Sequence, residues 1–136
     1  MFLIFGCSTY VPYNSKYLKS RNEAEKIIKQ VILEQPRQYA PVAIEFNEEY
    51  FQVFHNDTRK GILSGGVTTV PVVDTIYFNN IKSVELYYRK LFIVMIKDNT
   101  DYLKLYVYTR DENKAKSLID ALHTLISENL KNTQND

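Results

Sequence analysis

The chain has no tryptophan, one cysteine, four glycines and four prolines among its 136 residues. Each scarcity excludes something. A lone cysteine cannot form an internal disulfide, and cysteine content therefore does not identify a redox compartment. So few glycines and prolines exclude a low-complexity or linker-dominated protein. Charge of one sign is also missing, with 17 Lys and Arg against 16 Asp and Glu and a net charge of +1. A nucleic-acid binder normally gathers a basic excess on one face, so nucleic acid is not an expected partner. No stretch reaches the roughly 20 apolar residues that a membrane-crossing helix needs. No internal repeat is visible.

What is present is the material of one globular domain. The length falls within the roughly 100–150 residues of a common domain. Hydrophobic residues make up 45% and charged ones 24%, enough apolar matter for a core. Eleven tyrosines and seven phenylalanines, with many β-branched residues, favour strands.

Helical signals bracket the chain. Ser20 stands three residues before Glu23, a capping-box spacing. Ala24, Ile27, Ile28, Val31 and Ile32 then recur at helical intervals, and Pro36 cannot continue the run, which predicts a helix over 21–35. Near the C-terminus Thr109 precedes Glu112 by the same three residues. Ala115, Leu118, Ile119, Leu122, Leu125, Ile126 and Leu130 follow as one apolar stripe, and the polar "KNTQND" behind them is expected to fray.

Between the helices lie strand-like runs. "PVAIEF" and "EYFQVFHN" flank a turn at Asn47-Glu48 and read as a hairpin. Asn56 to Gly61 supplies turn chemistry. "ILSGGVTTVPVV" reads as a strand interrupted by a bulge at Gly65-Gly66, and "TIYF" as a separate short strand. "IKSVELYY" and "LFIVMIK" are joined at Arg89-Lys90. Asp98 to Asp101 turns the chain into "YLKLYVYT", where Leu103, Leu105 and Val107 alternate with Tyr102, Lys104, Tyr106 and Tyr108. The expectation is about seven antiparallel strands.

The search for chemistry returns little. His55, His123 and Cys7 are scattered, whereas a metal site needs several converging ligands. "GILSGG" lacks the lysine and helix of a phosphate loop. Ser64 lacks the strand-turn-helix context of a nucleophile elbow. Glu48 and Glu49 share a short turn and read as a solvated face. No general acid and base are paired in one cleft. The expectation is a non-enzyme with no catalytic residue, no metal and no cofactor.

Two resemblances sharpen this reading. Leu3-Ile4-Phe5-Gly6-Cys7-Ser8 resembles the lipobox of bacterial lipoproteins, in which a small residue precedes a cysteine that takes a diacylglycerol. The resemblance implies lipidation at Cys7, with residues 1–19 as lipobox remnant and tether. It also implies a place in the bacterial cell envelope, on the periplasmic side of an outer membrane because Ser8 is not aspartate. Only Met1 to Gly6 precede Cys7, without Lys or Arg, while a secretory signal has a charged start and an apolar region of roughly 7–15 residues. Two alternatives stay open. Either the true start lies upstream of Met1, or Cys7 is incidental, "MFLIF" is a short buried strand and the protein is cytoplasmic.

The stretch "TIYFNNIKSVELYYRKLFIVMIKDNTDYLKLYVYTRDENKAKSLIDALHTLI" resembles the C-terminal half of a pleckstrin-homology-like (PH-like) domain, including its bacterial members and the GRAM modules. This implies an α+β fold over 20–136, a bent antiparallel sandwich or partial barrel capped by the C-terminal helix, with the N-terminal helix as an addition. Many such domains hold phosphoinositide headgroups through basic residues around the first hairpin loop. Here that loop is Asn47-Glu48-Glu49, which is acidic, so phosphoinositide is not expected. Arg59-Lys60 and Arg89-Lys90 read as solvated turns, able to brush an anionic membrane in a lipid-anchored protein.

Tyr87, Tyr102, Tyr106 and Tyr108 are the candidate binding surface, an aromatic patch suited to a protein partner. Against this stands the requirement that the isoleucines of the first helix be buried somewhere, and the tyrosine face is the surface expected to take them. The function expected is a membrane-tethered binding or scaffolding module for a protein. The alternative is a carrier for a small hydrophobic ligand or lipid, with a cavity between sheet and helix.

Overall fold

The computed structural model describes residues 8–60 and 67–134, with side chains described at all of these except 57–60, 67, 68, 133 and 134. Both Cys7 and the Gly65-Gly66 bulge fall outside the described residues.

Helix α1 spans Arg21–Leu33. Ser20 caps it as its spacing requires: the backbone is extended and the hydroxyl accepts the Glu23 N–H at 3.2 Å. Arg21 Nε bonds Glu25 one turn on at 2.6 Å. Ala24, Ile28, Val31 and Ile32 are buried along one stripe. Strands β2 (Ala43–Phe46) and β3 (Tyr50–Lys60) form the expected hairpin. Its turn is held by Asn47 N–H to Tyr50 O at 2.9 Å and Glu49 N–H to Asn47 Oδ1 at 2.8 Å.

The next strands depart from expectation. β3 does not turn at Asn56; it runs on to Lys60 and pairs with β4 (Val67–Tyr77) from Tyr50↔Tyr77 to Lys60↔Val67. Eleven successive ladder positions outweigh the local turn preference of Asn56 and Asp57. β4 also absorbs Thr75, Ile76 and Tyr77 of "TIYF", because Asp74 is held in the ladder, with Oδ2 3.1 Å from His55 Nε2. A 3₁₀ turn at Phe78–Asn80, with Phe78 wholly buried, leads into β5 (Ile81–Arg89).

β5 joins β6 (Leu91–Asp98) across Lys90, whose φ is 62°, and β7 (Leu103–Thr109) completes the series. Helix α2 covers Glu112–Gln134 and so reaches into the segment expected to fray, whose last two residues lie outside the described ones. Its cap is Asp111, whose carboxylate accepts the Asn113 and Lys114 N–H groups at 2.8 and 3.4 Å. Thr109 instead accepts the Asp111 N–H at 3.1 Å.

Seven strands result among the described residues, but not the seven read from the sequence, since one was lost by fusion and another gained. The gained strand is β1, Thr9–Tyr10, antiparallel to β5 through Thr9↔Tyr88 and Tyr10↔Tyr87, with the Val11 N–H bonding Leu86 O at 2.8 Å. The stretch that resembled a tether is thus laid against the body. From β1 the chain runs along α2. The Tyr13 hydroxyl donates to Asp120 at 2.9 Å, and the Lys16 and Leu18 N–H groups donate to Asp120 and Thr124 at 2.7 and 2.9 Å.

The architecture is α+β, with two antiparallel sheets ordered β1-β5-β6-β7 and β2-β3-β4. They remain separate sheets and close no barrel among the described residues. α2 lies against β5, β6 and β7, so that Ala115, Leu118, Leu122 and Leu125 meet Leu86, Val94, Ile96 and Val107 in one core. Each such fully buried side chain contributes about 1.5–3 kcal/mol of transfer free energy. The stripe of α1 is buried chiefly against α2, with lesser contact to β2 and β7.

Candidate functional site

Residues paired across an antiparallel ladder share a face, so the register alone assigns the outer surface of the four-stranded sheet. One row across all four strands is Tyr10↔Tyr87↔Ile93↔Tyr108. The next row is Glu85↔Met95↔Tyr106. The neighbouring positions Leu86, Val94 and Val107 point to the other side and are fully buried under α2. In the outer rows Tyr10 and Tyr106 are exposed, at 53% and 42%, and Glu85, Tyr87, Ile93, Met95 and Tyr108 are partly buried.

The rings are ordered among themselves. Tyr10 meets Tyr87 edge-on at 5.5 Å, Tyr106 lies 6.0 Å from Tyr108, and Tyr39 from the loop after α1 stacks on Tyr108 at 3.9 Å. That loop is fixed from behind. Gln35 is buried, donates to Ile32 O at 2.9 Å and accepts the outward-pointing Tyr108 N–H at 3.0 Å, which satisfies one open position on the β7 edge. Lys97 Nζ, 3.1 Å from Glu85, borders the patch with an ion pair.

Three of the four tyrosines singled out from the sequence, Tyr87, Tyr106 and Tyr108, come together on this face. Tyr102 does not. A bulge between Ile96 and Lys97 shifts the register, and Tyr102 falls in the turn before β7, 72% exposed and without a ring contact among the described residues. Helix α1 does not cover the face either; only Tyr39 reaches it. The structure adds Tyr10, Tyr39, Ile93 and Met95. Ile93 and Met95 were hidden because "LFIVMIK" is apolar at nearly every position and shows no period of two. Tyr10 and Tyr39 left no signal, since both sit in segments without periodicity.

Burial pushes the Tyr108 hydroxyl above the usual phenol range, and the adjacent Tyr39 and Tyr106 act in the same direction. Tyr87 is raised by burial and then by the Glu85 carboxylate. The hydrogen bond to Glu85 raises Lys97. Around neutral pH Tyr87 and Tyr108 are therefore uncharged hydroxyl-bearing rings beside the Lys97–Glu85 ion pair. Such a surface can bury area and offer hydrogen bonds, but it pairs no nucleophile with a base.

Two other clusters compare poorly with it. Ser15 and His123 Nδ1 share a hydrogen bond, and burial holds the imidazole below its usual range. Asp120 nearby accepts from Tyr13 and Lys16, not from the ring, so the group fastens the N-terminal segment and does not make a triad. A cleft of about 420 Å³ opens between β4 and the 3₁₀ turn, lined by Ile76, Tyr77 and Ile81 but also by Asp74, Asp98 and Lys104. It lacks the apolar lining that a carrier of a hydrophobic ligand calls for. No three His, Cys, Asp or Glu side chains converge on a metal position among the described residues. No helix of the described residues is long and apolar enough to cross a membrane. Comparison with family models, curated proteins and solved structures finds no match to this chain.

Proposed function

We propose that this chain is a non-enzymatic binding or scaffolding module of PH-like architecture, tethered to a bacterial envelope membrane through Cys7 and engaging a protein on its outer tyrosine face. One observation carries the reading. Both helices are spent away from the outer side, and an ordered face of Tyr10, Tyr87, Ile93, Met95, Tyr106 and Tyr108 is left partly exposed, most of all at Tyr10 and Tyr106. Tyrosine suits such a surface because a ring with two side-chain torsions buries much area at low entropic cost while its hydroxyl keeps the free face wetted.

The PH-like part of the reading is supported by two antiparallel sheets of three and four strands and by a C-terminal helix seated on the second. The lipid anchor is supported by the lipobox resemblance. Site-specific photocrosslinking in the producing cell tests the face. A photoreactive residue at Tyr106 should yield a discrete adduct that the same residue at Lys29, on the solvent side of α1, does not. Adducts from both positions alike, or from Lys29 alone, would defeat the assignment. Metabolic labelling with a palmitate analogue tests the anchor separately, and an unlabelled product would remove it.

A further inference from the structure

The end of the molecule where the described chain begins carries a second surface. Thr9↔Tyr88↔Phe92↔Thr109 is the last complete row of the four-stranded sheet. Past that row lie Ser8, the tight turn Arg89-Lys90 and, after β7, Arg110. Tyr88 and Phe92 pack together at 4.8 Å, and Tyr88 is 43% exposed. One end of the sheet thus carries an exposed tyrosine, packed on a partly buried phenylalanine, next along the chain to three exposed cations.

Arg89, Lys90 and Arg110 form no ion pair among the described residues. Of the carboxylates on neighbouring segments, Glu34 pairs with Lys114 at 2.7 Å and Glu112 with Lys116 at 2.7 Å, while Asp111, next to Arg110 in sequence, accepts the first N–H groups of α2. The acidic turn Glu48-Glu49 sits at the opposite end of α2, where Asn129 Nδ2 approaches Glu48 O at 3.4 Å. Asn129 is 17 residues beyond Glu112, which places the two ends about 25 Å apart along the helix axis. The end of the sheet at Ser8 thus carries unpaired cations that the net charge of +1 does not reveal.

We infer that the Arg89-Lys90 turn, Arg110 and the Tyr88–Phe92 pair form a docking tip for an anionic bilayer surface. Two arguments select a membrane as the occupant. The cations complement acidic headgroups, and an aromatic pair among them matches the boundary where amphipathic rings settle. The seven residues before Ser8, which include the wholly apolar Met1–Phe5, join the fold beside Tyr88 and reach at most about 25 Å from it. Any insertion or acylation of that stretch holds this end, and no other, against the lipid. The inference rests on the membrane tether of the proposed function but not on acylation itself. It also fixes an orientation, with the sheet end on the bilayer and the outer tyrosine face to the side, open to a protein.

Vesicle cosedimentation with the full chain carrying Cys7→Ser tests this without any acyl group. The protein is expected on phosphatidylglycerol-containing vesicles and not on pure phosphatidylcholine, with release at about 0.5 M salt. Arg89→Gln with Lys90→Asn, the latter chosen because asparagine tolerates a positive φ, is expected to weaken binding roughly thirty-fold. Lys26→Gln with Lys29→Gln, which removes the same charge from exposed positions on α1, is expected to leave it unchanged. Equal losses in the two double variants, equal binding to neutral vesicles, or no binding to anionic ones would overturn the tip. A chain that labels poorly with palmitate yet sediments in this pattern would sink only the acylated anchor.

Discussion

The two faces of the four-stranded sheet are built from the same strands, one residue out of phase, and they have opposite fates. Leu86, Val94, Ile96 and Val107 are sealed under α2, whereas Tyr87, Ile93, Met95, Tyr106 and Tyr108 are left partly wet. The composition of the two sets explains the difference. The inner residues are aliphatic and carry no polar group to satisfy, so a helix stripe can cover them completely. A buried tyrosine needs a partner for its hydroxyl, and α2 presents leucines. The faces should therefore respond differently to truncation. Leu122→Ala is expected to cost about 2–5 kcal/mol, because the wholly buried helix side chain would leave a cavity against the sheet. Tyr106→Ala is expected to change stability by only about 0.5 kcal/mol, because the ring is 42% exposed. Urea unfolding of both variants measures this, and comparable losses would mean that the outer face is structural.

Legibility followed this division. The inner face could be read from sequence because Leu105 and Val107 alternate with Tyr106 and Tyr108, and because the stripe from Ala115 to Leu125 has helical spacing. Three tyrosines of the outer face were readable for the same reason. Tyr102 was misplaced because a bulge is a matter of backbone pairing that side-chain patterning does not record. Asn56 and Asp57 misled in the opposite way, since local turn chemistry is overridden once a partner strand supplies a full ladder. The margin of the sheet was not readable at all. Nothing in "STYVPYNSKY" announces a strand, and its docking depends on Asp120, more than 100 residues away.

That margin is where the sealed face can be opened without touching the helix stripe. Val11, Tyr13 and Leu18 pack against the edge of the core, and Asp120 accepts from both the Tyr13 hydroxyl and the Lys16 N–H. Lys116 lies 5.5 Å over the Tyr13 ring on the same side. Asp120→Ala removes two acceptor contacts at one stroke, with an expected cost of about 1–3 kcal/mol. Hydrogen exchange should speed up between Tyr10 and Leu18 while the amides of β6 stay protected. If β6 lost protection in parallel, the segment would be integral to the core and not a margin laid upon it.

Protonation separates the two faces most finely. His123 lies on α2 beneath this same segment, and burial depresses its pKa, with the Asp120 carboxylate opposing the shift in part. A base with a depressed native pKa binds fewer protons folded than unfolded, so stability rises with pH across that interval. The contribution is complete above the ordinary histidine pKa of about 6.5 and is lost as pH falls from there through the lower native value. The outer face has no counterpart in this range. Lys97 is raised by Glu85, so its contribution is fully present here and fades only in strongly alkaline solution. The urea midpoint should therefore fall between about pH 7.5 and about pH 5.5 in the parent chain, and His123→Gln should flatten that slope without moving the behaviour of Tyr106 variants. An unchanged slope in His123→Gln would assign the acid sensitivity elsewhere, and the protonation contrast between the two sides of the sheet would fail with it.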